Sequence, residues 1–177
     1  MSRQQRPQRG TTMMELMVAI TILALLAMMA VPSMRDVMQN SRSASISTKF
    51  VAGLNFARSE AVKRRAVVTV CTSADGATCR ASGGADYKNW EKGWIILDSA
   101  NTVLRREDTL AATAMLCGST GQIQFAGTGG TINSIAPNFT LTLPGCRGDN
   151  LRTIAIGVTG RISVSRSACP TVDPTCV

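Results

Sequence analysis

Two hydrophobic patterns follow one another in the first third of the chain. Leu16 to Met34 is a run of nineteen residues without a charged side chain, long enough as a helix to cross a bilayer. Beyond it the apolar positions thin to one face. Val37, Ile46, Phe50, Leu54, Ala57 and Ala61 recur at helical spacing among Arg, Ser, Asn and Lys, the stripe of an amphipathic helix. Pro32 is flanked by good helix formers on both sides, so it is expected to kink the helix rather than end it. A helix is therefore expected from Thr11 to about Arg65, on the order of 80 Å long at 1.5 Å per residue. Residues 11–34 are apolar all round, and residues 35–65 have one face to bury.

After Arg65 the pattern changes to short β-branched runs. Val67 to Cys71, Trp94 to Asp98, Val103 to Arg106, Gln122 to Phe125, Phe139 to Leu143, Leu151 to Val158 and Arg161 to Val164 read as strands. Thr72 to Lys88 reads as a loop, and Gly127–Gly130 and Pro144-Gly145 mark turns. Val103–Arg106 is expected to pair with Trp94–Asp98 across Ser99–Asn101. Strands without intervening helices imply antiparallel pairing. Residues 66–177 are thus expected to form a β domain packed on the amphipathic half of the helix, an α+β fold.

Ahead of the apolar run lies a basic leader, residues 1–10, with Arg3, Arg6 and Arg9 ending in Gly10. A single carboxylate, Glu15, stands at the lip of the apolar stretch, where an acidic group implies a partner or a function. In a secretory signal the small cut-site residue follows the apolar core; here it precedes it. This order resembles the class III signal of type IV prepilins. That resemblance implies cleavage between Gly10 and Thr11 by a prepilin peptidase, with the apolar helix kept on the mature protein. Counting from Thr11, Glu15 falls at the fifth position and Pro32 at the twenty-second, both hallmarks of that class. Thr11 stands where the class most often has Phe or Met, which leaves N-methylation of the new terminus open.

Composition narrows the chemistry. The formal charge is +8, and removing the three leader arginines leaves 16 basic and 11 acidic residues, or +5. That excess permits binding to nucleic acid without demanding it. All six cysteines, Cys71, Cys79, Cys117, Cys146, Cys169 and Cys176, lie beyond the apolar run and point to an oxidising compartment. Six cysteines allow fifteen connectivities. Nearest-neighbour closure gives Cys71–Cys79, Cys117–Cys146 and Cys169–Cys176. Zinc is the rival use of the thiols, but there is no Cys-x-x-Cys pair and no histidine. Lack of histidine also removes the commonest general base. No catalytic residue, metal or cofactor is expected.

Asn55 to Arg65, Trp90 to Asp98 and the late Gly160-Arg161 together resemble the GspH/FimT/FimU group of minor pilins and pseudopilins. The resemblance implies a pilin fold, a structural role, and partners among other pilins or pseudopilins met through the N-terminal helix. It also implies insertion in the bacterial inner membrane before assembly, with the globular domain in the periplasm. Read physically, Arg58, Lys63 and Arg64 form a wet helix face with Glu60 as partner of Arg64, and Trp90 and Trp94 belong to the core. Some FimT-type proteins take up DNA through a late Gly-Arg-x-Arg motif. Here Gly160-Arg161-Ile162-Ser163 keeps the first arginine only, and Arg147, Arg152, Arg161 and Arg166 stand as the DNA-binding candidates against a reading as solvated surface. The expected role is a minor pilin at or near the tip of a type IV pilus, the branch towards which the six cysteines and the basic C-terminal residues lean; the alternative is a pseudopilin of a type II secretion system.

Overall fold

The computed structural model describes residues 12–84, 86–110, 114–170 and 176, with the side chains of 29–33 and 35 left aside. Gly10 and Thr11 therefore lie outside the described residues, as does the side chain of Pro32 and with it the expected kink. The chain divides into two compact units, Met1–Met38 and Gln39–Val177.

Helix α1 runs Met13–Arg64, so Pro32 does not end it. Its last turn closes through the left-handed Arg65 (φ 50°). Ala66 N–H donates to Ala61 O and Arg65 N–H to Val62 O, both at 3.2 Å, the pairing that satisfies orphan carbonyls at a helix end. In the second unit the buried stripe of α1 is Ser43, Ser47, Phe50, Leu54, Ala57 and Ala61. The intervals alternate four and three, so these residues share one face. Val37, expected at the head of the stripe, lies in the first unit and is exposed.

Eight strands follow: β1 Val68–Thr72, β2 Trp94–Leu97, β3 Val103–Glu107, β4 Met115–Gly118, β5 Gln122–Phe125, β6 Asn138–Thr142, β7 Leu151–Ile156 and β8 Ile162–Ser167. They form two four-stranded sheets, ordered β3-β2-β1-β5 and β4-β6-β7-β8, antiparallel throughout. All seven expected strands are present within a few residues; β4 is additional. The predicted β2–β3 hairpin forms, its turn held by Asp98, whose Oδ1 accepts from Ala100 N–H at 2.9 Å and Thr102 N–H at 2.8 Å.

One core joins the helix to both sheets. Phe50 touches Trp90, Trp94 and Phe139 edge-on, with ring centroids 5.0–5.5 Å apart. Trp90 and Trp94 are fully buried, and Trp90 Nε1–H donates to Thr120 O at 2.8 Å, so its one polar atom is satisfied. Gly93 makes the turn between the two tryptophans at φ 108°, a conformation open to glycine.

Two of the three expected disulfides are overturned. Cys71–Cys79 forms as expected, but the others are Cys117–Cys176 and Cys146–Cys169. The cause is strand register. Leu151 lies opposite Ser167 in the β7–β8 pair, so the chain just before β7 runs beside the chain just after β8. Cys169 N–H donates to Gly148 O at 2.9 Å there, which brings Cys169 to Cys146. Cys117 on β4 is then left for Cys176.

Candidate functional site

At the start of α1, Thr12 caps the helix. Its carbonyl accepts from Glu15 N–H at 3.1 Å and Leu16 N–H at 3.2 Å, and its Oγ1 lies 3.3 Å from Glu15 N. Glu15 is thus the third residue of the helix after a threonine cap. Thr-x-x-Glu is a helix-start signature, and a carboxylate there complements the helix dipole. The sequence carried that signal beside the one already drawn from Glu15.

The following turns bury nothing. Leu16, Met17, Val18, Ile20, Ile22, Leu23, Leu25, Leu26 and Met28 are each more than half exposed, and at 100° per residue they occupy every side of the helix. Such a surface requires lipid or other helices around it. Among the described residues no helix is long and apolar enough to cross a membrane. The described side chains of the apolar run are those of Leu16–Met28, thirteen residues or about 20 Å at the helical rise, and of Met34 beyond them.

On the other end of α1, Arg58 departs from the expected wet face. Its Nε donates to Gly129 O at 2.8 Å and its Nη2 to Thr159 O at 3.1 Å. One guanidinium thereby ties the helix to the turn after β5 and to the turn between β7 and β8. Gly160 sits beside this contact with φ 75°. A Cβ on it would collide with Gly129 O and lie 2.9 Å from Arg58 Nε. The arginine of the helix segment and the glycine of the late Gly-Arg pair therefore belong to one junction. Glu60, as expected, accepts from Arg64 Nε at 2.8 Å.

The four C-terminal arginines do not form one surface. Arg147, Arg161 and Arg166 are exposed. Arg152 is buried, donating to Ser43 Oγ at 3.1 Å and Asn40 Oδ1 at 2.8 Å. Its side chain points from β7 to α1 because it shares the inward face with Ile154 and Ile156. Desolvation, then the charge of Arg166 directly opposite, lowers its pKa. Arg152 is thus a packing residue and leaves the DNA-binding candidates.

Two carboxylates in the second unit, Glu107 and Asp75, are held below the usual carboxylate range. Glu107 is 8% exposed; burial pushes its pKa up, but Lys49 Nζ at 2.6 Å and Arg105 Nη2 at 2.7 Å bring the balance below the usual range. Asp75 is lowered far more, by N–H donors of Thr78 and Ala77 and by the Thr78 and Ser73 hydroxyls.

Three likenesses bear on this arrangement. The family described as "Type II transport protein GspH" matches residues 47–160, and the "Prokaryotic N-terminal methylation motif" matches residues 5–31. Crystal structures of the type IV minor pilin FimU of Pseudomonas aeruginosa share the fold at 26% identity. One crystal form gives a TM-score of 0.55 over 69% of this chain and 87% of that one. A second gives 0.54 over 69% and 91%. No curated protein matches.

Proposed function

The chain belongs to the GspH family of type II transport proteins, and from that premise we propose that it is a minor pilin, built into a type IV pilus and aiding its assembly. The observation that carries this reading is α1 itself, whose exposed apolar side chains from Leu16 to Met28 surround the axis behind the Thr12 cap and Glu15. In the proposal a prepilin peptidase cuts between Gly10 and Thr11. The helix then rests in the inner membrane, the nineteen-residue run Leu16–Met34 matching the hydrocarbon core, and the disulfide-bonded domain faces the periplasm. Glu15 meets the terminal amine of a neighbouring subunit at Thr11; pairing the two charges in an apolar setting offsets part of the cost that each carries alone. Docking and register follow from that pair, and lipid contacts are exchanged for helix packing.

The likeness to FimU at 26% identity supports the pilus branch. The description of the matching family favours a second reading, a pseudopilin of a type II secretion system with the same helix chemistry. DNA uptake is a further property of the first reading and falls to Arg147, Arg161 and Arg166. A deletion strain scored for surface pili, secreted enzymes and transformation tests the proposal. Loss of pili with normal secretion is expected; loss of secretion with normal pili would transfer the chain to the secretion system.

A further inference from the structure

The two sheets have four edge strands, and three of those edges are protected. Outside β4, Gly118 N–H donates to Lys88 O at 2.9 Å and Asn89 bridges Cys117. Outside β5, the chain folds back so that Thr131 bridges Phe125 and Ala126 N–H donates to Gly130 O at 2.8 Å. β3 carries Arg105, Arg106 and Glu107 and a register shift opposite Ile96/Leu97. Charges, bulges and covering segments are the devices by which proteins stop an edge from pairing with another chain.

β8 lacks them over most of its length. It reads Ile162-Ser163-Val164-Ser165-Arg166-Ser167, pairs with β7 over six residues without a register shift, and has neither proline nor an acidic residue. Its outward groups follow from the ladder. Gly157 N–H donates to Arg161 O at 2.8 Å, so 157/161, 155/163, 153/165 and 151/167 are the hydrogen-bonded pairs in this register. The N–H and C=O groups of Ile162, Val164 and Arg166 then point away from β7. Among the described residues none is hydrogen-bonded to them. Val164, 44% exposed, shares a sheet face with buried Ile154 opposite it, so the apolar layer continues to the open edge. Arg161 precedes the strand, Arg166 lies near its far end, and both are exposed.

We propose that β8 is a docking edge that takes an extended segment of another protein as a ninth strand, apolar at its centre and acidic at its ends. Backbone groups in a row call for a strand and not a helix. Val164 supplies the apolar contact, and the two arginines favour carboxylates across from them. The edge lies on the globular domain and does not depend on Glu15, so it stands or falls apart from the helix-docking proposal.

Backbone chemistry gives a sharp test. In Val164→Pro the missing N–H is an outward one, so the β7–β8 ladder keeps its bonds and the fold survives. Ser165→Pro removes an inward N–H and serves as the structural control. The full chain in detergent is mixed with a synthetic peptide of alternating valine and threonine with glutamate at each end, or with its lysine-ended counterpart. Amide exchange is read residue by residue. The glutamate peptide should slow exchange at Ile162, Val164 and Arg166 by about tenfold, leave Ser163 and Ser165 unchanged, and lose its effect on Val164→Pro. The lysine peptide should protect less. Unprotected Ile162, Val164 and Arg166 amides, or equal protection by both peptides, would overturn the assignment. Protection without peptide that rises with the chain's own concentration would make a second copy the occupant and overturn it too.

Discussion

Arg58 and Gly160, a hundred residues apart in sequence, occupy one junction: the Arg58 guanidinium bonds the carbonyls of Gly129 and Thr159, and Gly160 leaves room for it by having no Cβ. The junction fastens the C-terminal half of α1 to both sheets through their turns. It places Gly160, the last residue of the β7–β8 turn before Arg161, against the helix.

Gly160→Ala should destabilise the chain by about 2–3 kcal/mol, since the substitution meets both a left-handed φ and backbone of Gly129. Gly157→Ala is the control, because a Cβ there meets nothing nearer than Arg161 O at 3.8 Å; it should cost less than about 1 kcal/mol. Arg58→Lys should lose about 1–2 kcal/mol, as an ammonium does not reproduce the fork that spans two carbonyls. Denaturant melts of the oxidised protein measure all three.

The C-terminal arginines should separate into two classes. Arg152→Gln is expected to lower stability by about 1–3 kcal/mol, because it strands Ser43 and Asn40 in a buried contact. Arg161→Gln and Arg166→Gln should stay within about 0.5 kcal/mol of the parent. If duplex DNA is a ligand, binding should fall with salt, and the Arg161/Arg166 double variant should bind more weakly, with a salt slope flatter by about two. Titration at two salt concentrations decides the matter; unchanged affinity in the double variant would remove this surface from DNA binding.

Non-reducing peptide mapping should return Cys71–Cys79, Cys117–Cys176 and Cys146–Cys169. Replacing pairs with serine should rank by loop length, 8, 59 and 23 residues respectively. On the chain-entropy account the costs are about 2.5, 4 and 3.5 kcal/mol. A Cys117/Cys176 double variant that melts like the parent would remove this bridge from the native protein.

What was legible follows from how local each signal is. The helix, the two tryptophans and seven strands are written in periods of 3.6 and 2 over a few residues. β4 was missed because Met115-Leu116-Cys117-Gly118 has no β-branched residue; its strand form is imposed by β6 and by Asn89. Ser43 and Ser47 look solvated in sequence, yet they continue the buried face: Arg152 reaches across to Ser43, and the Ser47 hydroxyl donates to Ala44 O within the helix. The roles of Arg58 and Arg152 depend on partners 71 to 112 residues away, and no local pattern carries that. Disulfide pairing fails for the same reason: register, not proximity along the chain, brings Cys146 to Cys169.

Acid should destabilise the domain and neutral pH should not. Glu107, Asp75, Asp98, Glu60 and Asp86 all have pKa values lowered in the folded chain. A lowered folded pKa contributes stability that is complete above the unfolded value, about 4 for carboxylates, and is lost as pH falls through the folded value. With no histidine in the sequence, no imidazole titrates between pH 5 and 8. The melting temperature should therefore be flat across that range and fall below about pH 4. Glu107→Gln should shrink the acid fall, since it deletes a buried carboxylate paired with Lys49 and Arg105. A fall of comparable size between pH 7 and 5.5 would contradict this.

Glu15 has two roles to separate, the charge that meets a neighbouring amine and the helix-start position behind Thr12. Glu15→Gln keeps a side chain suited to that position and removes the charge. Glu15→Ala removes both. If the charge pair guides assembly, both variants should insert in the membrane at least as well as the parent, because a carboxylate is costly there. Both should also be depleted from sheared filaments to a similar degree. If the cap is what matters, Glu15→Gln should enter filaments normally and Glu15→Ala should not, with a helix-start loss of about 0.5–1 kcal/mol. The reading also fixes a second variant with the same defect. A neighbouring subunit's amine cannot form unless the leader is cut, so Gly10→Val, which blocks cleavage, should reproduce the filament defect of Glu15→Gln with Glu15 intact. Immunoblots of membrane and filament fractions for all three variants, with N-terminal sequencing of the parent, read the outcome. Normal incorporation of Glu15→Gln together with exclusion of Gly10→Val would assign the requirement to leader removal alone and withdraw the charge pair from the mechanism.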